Sequence, residues 1–223
     1  MSTNMDEWDG SWGRINYKKD FSDIIKQKIT YFYHVGVDFN MKDKSGWTPL
    51  FYAITHCTGD IVELLISGGA DATIKGPKEE FSLHFAVSEG NLSAVKTLCK
   101  LTPSIINEKD EQGQTALHYA AKKGFDKAVT FLIKMGVDIN AQDKFGQTAL
   151  HYAAKSCLST TKALIDAGAG AFIKDNDGYT AFNYAKNKDI QEIILNTKEN
   201  RINSSKTIVE KVFLSKLLGR QNG

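Results

Sequence analysis

Residues 113–120 and 146–153 have the same sequence, GQTALHYA, and they lie 33 positions apart. Close copies occur as GWTPLFYA at 46–53 and GYTAFNYA at 178–185, with a degenerate copy, EEFSLHFA, at 79–86. The apolar anchors of the five copies recur every 32 to 34 residues, at Leu50, Leu83, Leu117, Leu150 and Phe182. A fixed period of this length predicts an array of stacked supersecondary units rather than one globular core.

A second signature closes most of the units. It reads GVDFN at 36–40, GADA at 69–72, GVDIN at 136–140 and GAGA at 168–171. These signatures begin with a glycine that follows an apolar helical run, where a left-handed residue without a Cβ ends a helix at low cost. The Thr-Pro pair of the GWTPLFYA copy is a typical helix start. The helices between the signatures carry apolar stripes that one isolated unit could not bury, so the units must stack.

The two signatures resemble those of the ankyrin-repeat family over most of the chain, from about residue 13 to residue 195. The resemblance implies an all-α fold with short β-hairpin loops, in which about five to six helix-turn-helix units stack into a curved solenoid. It also implies that the hairpins and the inner helices form a concave surface that binds another protein. The predicted units are residues 13–42 as a cap, then 43–75, 76–109, 110–142, 143–174 and 175–195.

Two of these units depart from the pattern. The degenerate unit at 76–109 has GPKE at the start of its loop and lacks the closing glycine, so we expect an irregular loop and an irregular helix end. The unit at 143–174 has lost one residue near 156–158. This loss predicts a shortened turn between its two helices.

The ends of the chain differ from the repeats. Residues 1–12 form an acidic N-terminal tail without the apolar run of a signal peptide. Residues 196–223 combine a polar linker with a basic amphipathic pattern, whose apolar positions have helical spacing over 206–218. We predict a C-terminal helix that caps the last repeat. A partner-binding helix and a weak membrane-surface helix are the alternatives.

The composition excludes several classes of protein. A formal net charge of +2 is too small to predict a nucleic-acid or membrane partner by long-range attraction. No stretch approaches the roughly 20 apolar residues of a membrane-spanning helix. The three cysteines form no CxxC pair, and their odd number indicates a reducing compartment. We therefore expect a cytoplasmic protein, in its own cell or in the cytosol of a host.

The residues that could carry catalysis follow the repeat instead. His84, His118 and His151 occupy one repeat position, which indicates one structural role. The resemblance implies that this role is hydrogen bonding between the helix start and the neighbouring loop. Metal binding is disfavoured because stacked units lie about 10 Å apart. No phosphate-binding or nucleophile motif is present in the sequence, so we expect no catalytic residue, no metal, no cofactor and no enzyme activity.

Two further sets of residues recur with the period. Aspartates recur near the loops and are expected in loop hydrogen bonds rather than in acid–base pairs. An aromatic residue recurs on the inner helices, and we expect its ring to pack between repeats with the hydroxyl near the groove. The aromatic positions are Tyr52, Phe85, Tyr119, Tyr152 and Tyr184.

Residues that differ between the copies, at the loop tips and the inner-helix ends, are the candidate partner-binding residues. Their variation indicates freedom from the folding constraint that keeps the other positions constant. The candidates are Lys44, Trp47, His56, Lys78, Glu80, Glu89, Gln112, Gln114, Lys122, Lys123, Lys144, Phe145, Gln147, Lys155, Asn176 and Tyr179.

Two subsets of these candidates suggest how a partner is held. Trp47, Phe145 and Tyr179 are aromatic residues at loop positions, and such residues are what binding hot spots are made from. Packing against the neighbouring loop is the alternative for them. A basic cluster in adjacent units predicts an acidic segment in the partner, although a solvated face explains it equally well. The cluster consists of Lys122, Lys123, Lys144 and Lys155.

The resemblance implies a non-enzymatic adaptor or inhibitor that binds one protein partner, and we expect a monomer. Abundant Lys, Asn and Ile indicate an AT-rich genome, which favours a microbial or viral source. A bacterial immunity protein and a host-directed effector are then the natural candidates. The alternative function is a membrane-associated scaffold that uses the C-terminal helix as an anchor. A membrane and a nucleic acid are not the expected partners.

Overall fold

The structure, a computed structural model, describes residues 22–197. The predicted tail at 1–12, the first part of the predicted cap at 13–21 and the predicted helix at 206–218 lie outside the described residues. Within the described part the chain is all-α, with ten α-helices and no strand. No helix in that part has the length and apolarity needed to cross a membrane.

The helices form two layers. In chain order they are α1 (Ser22–His34), α2 (Pro49–His56), α3 (Gly59–Ser67), α4 (Ser82–Ser88), α5 (Leu92–Leu101), α6 (Ala116–Lys123), α7 (Asp126–Lys134), α8 (Ala149–Ser156), α9 (Leu158–Asp166) and α10 (188–197). Helices α2, α4, α6 and α8 pack on one another as the inner layer, while α1, α3, α5, α7 and α9 form the outer layer. The 3-10 helix Ala181–Tyr184 packs on α8 and takes the inner position of the last unit. The predicted solenoid of stacked helix-turn-helix units is confirmed.

The core repeats with the sequence period. The anchors Leu50, Leu83, Leu117 and Leu150 on the inner helices are almost fully buried, as are Val62, Val95 and Val129 on the outer helices. Burying a side chain of this size stabilises a fold by about 1.5–3 kcal/mol. Because the inner helices of neighbouring units pack on one another, as do the outer helices, the stability of the array depends on contacts between neighbours.

The loops before the inner helices, predicted as short β-hairpin loops, are tight turns, and no strand is present among residues 22–197. In the loop 143–147, the Asp143 N–H donates to the Gln147 carbonyl at 3.0 Å and the Gly146 N–H donates to the Asp143 carbonyl at 3.0 Å. Single backbone bonds then connect one loop to the next. The Lys144 N–H donates to the Gln112 carbonyl at 2.9 Å, and the Asn176 N–H donates to the Phe145 carbonyl at 3.0 Å. These bonds join the loop tips of the last three units into one hydrogen-bonded edge.

The degenerate unit is irregular at its helix end, but its loop keeps the regular turn, so the expectation of an irregular loop was wrong. The Gly76 N–H donates to the Glu80 carbonyl at 2.8 Å and the Glu79 N–H donates to the Gly76 carbonyl at 3.0 Å, as in the loop 143–147. In its loop Glu79 has φ = 57°, the left-handed conformation that Gly113 has, with φ = 76°, at the equivalent position. At its end a 3-10 helix, Pro103–Asn107, replaces the closing glycine turn. The Asn107 side chain still accepts the Asp138 N–H at 2.9 Å, as Asn140 accepts the Gly170 N–H at 2.7 Å. The bond to the next unit is therefore kept although the helix end has changed.

The turn between α8 and α9 is shorter than its counterpart, as the missing residue predicted. Only Cys157 separates these helices, whereas Gly124 and Phe125 separate α6 from α7. Gly124 has φ = 64°, and a side chain there would approach the Cys157 side chain to 3.1 Å. The shortened turn therefore packs directly on the turn of the preceding unit.

Candidate functional site

The recurring histidines connect each inner helix to the next loop. At His118 the Thr115 backbone N–H donates to Nδ1 at 3.0 Å, and the Thr115 hydroxyl lies 2.9 Å from the same atom. Because Nδ1 accepts, Nε2 carries the proton and donates it to the Gln147 carbonyl at 3.1 Å. Burial lowers the pKa of His118, which keeps the ring neutral. The predicted structural role of the histidines is observed.

The other two histidines show where this arrangement is complete and where it is not. His151 repeats it, with Thr148 at the helix start and the Tyr179 carbonyl 3.3 Å from Nε2. His84 has its Nε2 2.8 Å from the Gln114 carbonyl, but Phe81 stands where the other units have threonine. Its Nδ1 is buried without a hydrogen-bond partner. Among residues 24–197, no cluster of three or more His, Cys, Asp and Glu residues could hold a metal.

The recurring aspartates and tyrosines form a second network. Asp143 accepts the backbone N–H groups of Phe145 and Gln147 on Oδ1, each at 2.9 Å, and the Tyr152 hydroxyl on Oδ2 at 2.7 Å. The side-chain amide of Gln114 reaches across from the preceding unit and donates to the Tyr152 hydroxyl at 2.6 Å. Burial raises the pKa of Tyr152, so its hydroxyl remains a donor. The tyrosine hydroxyls therefore hold the loops in place.

Most of the predicted partner-binding residues lie on one exposed face, formed by the loop tips and the ends of the inner helices. We call it the inner face. The exposed members are Lys44, His56, Lys78, Glu89, Gln112, Lys122, Lys123, Lys144, Phe145, Lys155, Asn176 and Tyr179. Two of them donate a side-chain hydrogen bond to a neighbouring unit: Lys123 to the Ser88 carbonyl, and Asn176 to the Lys144 carbonyl at 2.9 Å.

Four predicted residues are not free for a partner, which corrects the expectation of exposure there. The Trp47 ring centroid lies 5.1 Å from that of Phe85 in the next unit, so the packing alternative holds for Trp47. Gln114 and Gln147 use their side chains for the network between units. Glu80 is only 8% exposed. All four occupy the last position of a loop, from which a side chain points at the following unit.

Glu80 breaks the network that glutamine makes at this position. Its Oε2 is buried without a partner, and a carboxylate cannot donate to a tyrosine hydroxyl as Gln114 does. Its negative charge also lies near the Tyr119 hydroxyl, which already donates to Asp110 at 2.8 Å. Among the described residues, hydrogen bonding of buried side chains is thus least complete in the degenerate unit.

Glu80→Gln is therefore expected to stabilise the protein. The amide can donate to Tyr119 in the same way, and removing one buried unsatisfied group is worth about 1 kcal/mol in the free energy of unfolding. Urea unfolding at neutral pH measures the change. Glu89→Gln, an equal change of charge at an exposed position, should leave stability within about 0.5 kcal/mol of wild type. A Glu80→Gln variant no more stable than this control contradicts the assignment.

Phe145 and Tyr179 have the exposure that was expected of binding residues. Phe145 is 57% exposed at the tip of its loop, and Tyr179 is 50% exposed. Tyr179 holds the loop position of Gln147, whose side chain reaches the next unit, but no described unit follows it. Its ring meets the Tyr184 ring in a T-shaped arrangement, with centroids 6.1 Å apart. Both aromatic rings are therefore available on the inner face.

Comparisons with known proteins agree with this architecture. A family model described as "Ankyrin repeats (3 copies)" matches residues 57–143 and 126–206, and one described as "Ankyrin repeats (many copies)" matches residues 28–66. A putative ankyrin repeat protein, L371, of Acanthamoeba polyphaga mimivirus is 29% identical over 78% of this chain. The probable 26S proteasome regulatory subunit p28 of Saccharomyces cerevisiae is 29% identical over 60% of it. The chain spans 23% and 59% of the lengths of these two relatives.

A solved structure gives the same result. EF0377, described as an ankyrin repeat protein, superposes with a TM-score of 0.69 at 28% identity, covering 79% of this chain and 94% of its own. The matched family models together cover more than half of the chain, and they include the units whose histidines, tyrosines and loop glycines repeat in the structure. This chain belongs to the ankyrin-repeat family.

Proposed function

We propose that this protein binds one protein partner through its inner face, as a non-enzymatic adaptor or inhibitor. Ankyrin repeats are protein–protein interaction modules, and the family is generally non-enzymatic. One relative, in yeast, is named as a regulatory subunit of the proteasome, which is itself a protein assembly. The histidines, loop aspartates and tyrosines that could support catalysis are occupied by bonds within the stack.

The observation that carries the proposal is the exposure of Phe145 and Tyr179 on loops that are held in place. The Phe145 N–H is fixed by Asp143 at 2.9 Å, and the Tyr179 N–H by Asp175 at 2.9 Å. Neither ring contributes to the buried core. An aromatic side chain on a rigid backbone loses little conformational entropy on binding, and such residues dominate interface energetics. The two loops also bond to each other, since the Asn176 N–H donates to the Phe145 carbonyl, so both rings stand on one bonded pair of loops.

Affinity capture with matched variants tests the proposal. The full chain is used as bait in an extract of its source cell, and the captured protein is quantified by mass spectrometry. Phe145→Ala and Tyr179→Ala should each reduce capture about tenfold or more, the effect of losing a hot spot worth about 2 kcal/mol. Tyr31→Ala, which removes a 63% exposed aromatic ring from the outer helix α1, is the control and should capture as well as wild type. Equal capture by all three variants would mean that the partner binds elsewhere.

A further inference from the structure

Lys122 and Lys155 lie at the same repeat position on the adjacent inner helices α6 and α8, at the exposed end of each helix. Three groups contact the Lys155 ammonium, which lies 5.5 Å from the centroid of the Tyr152 ring. It donates to the Gln147 side-chain carbonyl at 3.2 Å and lies 3.9 Å from the centroid of the Tyr184 ring. A cation over an aromatic face is stabilised in place. Lys155 is therefore a positioned charge, unlike an ordinary surface lysine that samples many rotamers.

Among the side chains of residues 24–197, no carboxylate forms a salt bridge with Lys155. The two salt bridges among the described residues are Lys26–Asp60 and Lys75–Glu79, both in the N-terminal half of the stack. The carboxylates near Lys155 are those of Asp143 and Asp175, and each is already occupied by two backbone N–H groups and a tyrosine hydroxyl.

The electrostatics of Lys155 also indicate that it lacks a negatively charged partner. Burial lowers the pKa of Lys155, and the nearby Lys122 acts in the same direction, whereas Asp175 and Asp143 oppose the shift. Burial and Lys122 thus disfavour the protonated form of Lys155, although Gln147 and the Tyr184 ring hold its ammonium in place. An anion placed between the two ammonium groups would relieve their repulsion and return the pKa of Lys155 towards its ordinary value.

We propose that Lys122 and Lys155 bind the carboxylate of an acidic side chain in the protein partner. This inference rests on the proposed function and names the chemistry of one subsite. Tyr179 and Lys155 contact the same Tyr184 ring, so an apolar residue next to the acidic one would meet the Tyr179 side chain. Exposed acids on the same face, Glu89 and Asp177, would repel a stiff polyanion such as double-stranded DNA. A flexible polypeptide can place one carboxylate at the two lysines and turn its other acidic side chains away from Glu89 and Asp177.

The test uses poly-L-glutamate of about 20 residues, labelled for fluorescence anisotropy, at pH 7.5 and about 150 mM NaCl, where unspecific attraction is screened. The full chain is compared with Lys122→Ala/Lys155→Ala and with Lys100→Ala/Lys162→Ala, a control that removes the same charge from exposed positions on α5 and α9. The subsite pair should weaken binding about tenfold, and the control pair by less than about twofold. Lys155→Met alone keeps the apolar contact with Tyr184 and should still weaken binding.

Three outcomes would overturn the inference. Equal losses in the two double variants would show attraction by net charge only. Stronger binding of a DNA oligonucleotide of equal charge would show a nucleic-acid site, and unchanged binding of the subsite pair would show that poly-L-glutamate binds elsewhere. Circular dichroism and urea unfolding show whether each variant remains folded. If capture still depends on Phe145 while the lysine variants bind normally, the proposed function stands and only this subsite is wrong.

Discussion

Gly146→Ala is expected to reduce the free energy of unfolding by about 3–4 kcal/mol. Gly146 has φ = 74°, a left-handed conformation that costs an alanine about 1–2 kcal/mol. A Cβ at this position would also lie 2.6 Å from Oδ1 and 2.8 Å from the backbone nitrogen of Asn176 in the next loop. The second contact is with backbone, so the loops must separate. Their separation would break the bond from the Asn176 N–H to the Phe145 carbonyl.

Gly136→Ala is the matched control for this prediction. Gly136 has φ = 81°, but a Cβ there would meet nothing within 4 Å. Its substitution should cost only the conformational part, about 1–2 kcal/mol. Urea unfolding of both variants isolates the contribution of loop-to-loop contact as the difference between them, about 2 kcal/mol. Equal destabilisation by the two substitutions would contradict the packing of adjacent loops described here.

His118→Ala is expected to cost about 3 kcal/mol in the free energy of unfolding, because the ring is 1% exposed and links two units. Removing it leaves the Thr115 N–H without its acceptor and removes one donor from the Gln147 carbonyl. The Gln147 carbonyl still accepts a hydrogen bond from the Asp143 N–H. The largest loss of hydrogen-bond energy is therefore at the start of α6. The variant also leaves a cavity between α6 and the following loop.

His84→Ala should cost less than His118→Ala, since the Nδ1 of His84 makes no hydrogen bond. The expected loss is about 2 kcal/mol, from one bond to the next loop and the buried ring. His34→Ala, at an exposed position in the last turn of α1, should stay within about 0.5 kcal/mol of wild type. Urea unfolding of the three variants gives the order. A larger loss at His84 than at His118 would argue against the hydrogen-bond assignment.

The sequence alone was sufficient for the architecture because the architecture is periodic. Each inner helix begins at a Thr-Pro or Thr-Ala pair or its degenerate equivalent, and the structure places four of the five copies on α-helices in one layer. That His118 has a structural role followed from its recurrence, whereas its hydrogen bond to the next loop followed from the family resemblance. The shortened turn at Cys157 followed from counting one missing residue. Such features depend on the residue types at each repeat position and on the spacing of the repeats, and both can be read directly from the sequence.

The candidate binding residues were less predictable because exposure is not a local property. Trp47 differs from its counterparts in other units, yet its ring packs on Phe85, which lies 38 positions away in sequence. Variation between copies indicates freedom from a shared role, but not freedom from packing. Gln114 and Gln147 carried a signal that could have been used, since an identical residue at one repeat position suggests a shared bond. The pairing of each loop aspartate with a tyrosine nine residues later was visible in the same way.

The central claim is that recurring residues build the stack, while exposed residues that do not recur bind the partner. Hydrogen–deuterium exchange of the full chain, with and without the captured partner, is its most direct test. Binding should slow exchange in the loops 143–147 and 175–179 and at the ends of α6 and α8. The outer helices α5 and α7 should exchange as in the free protein. Protection confined to the outer helices, with the loops unchanged, would contradict the account.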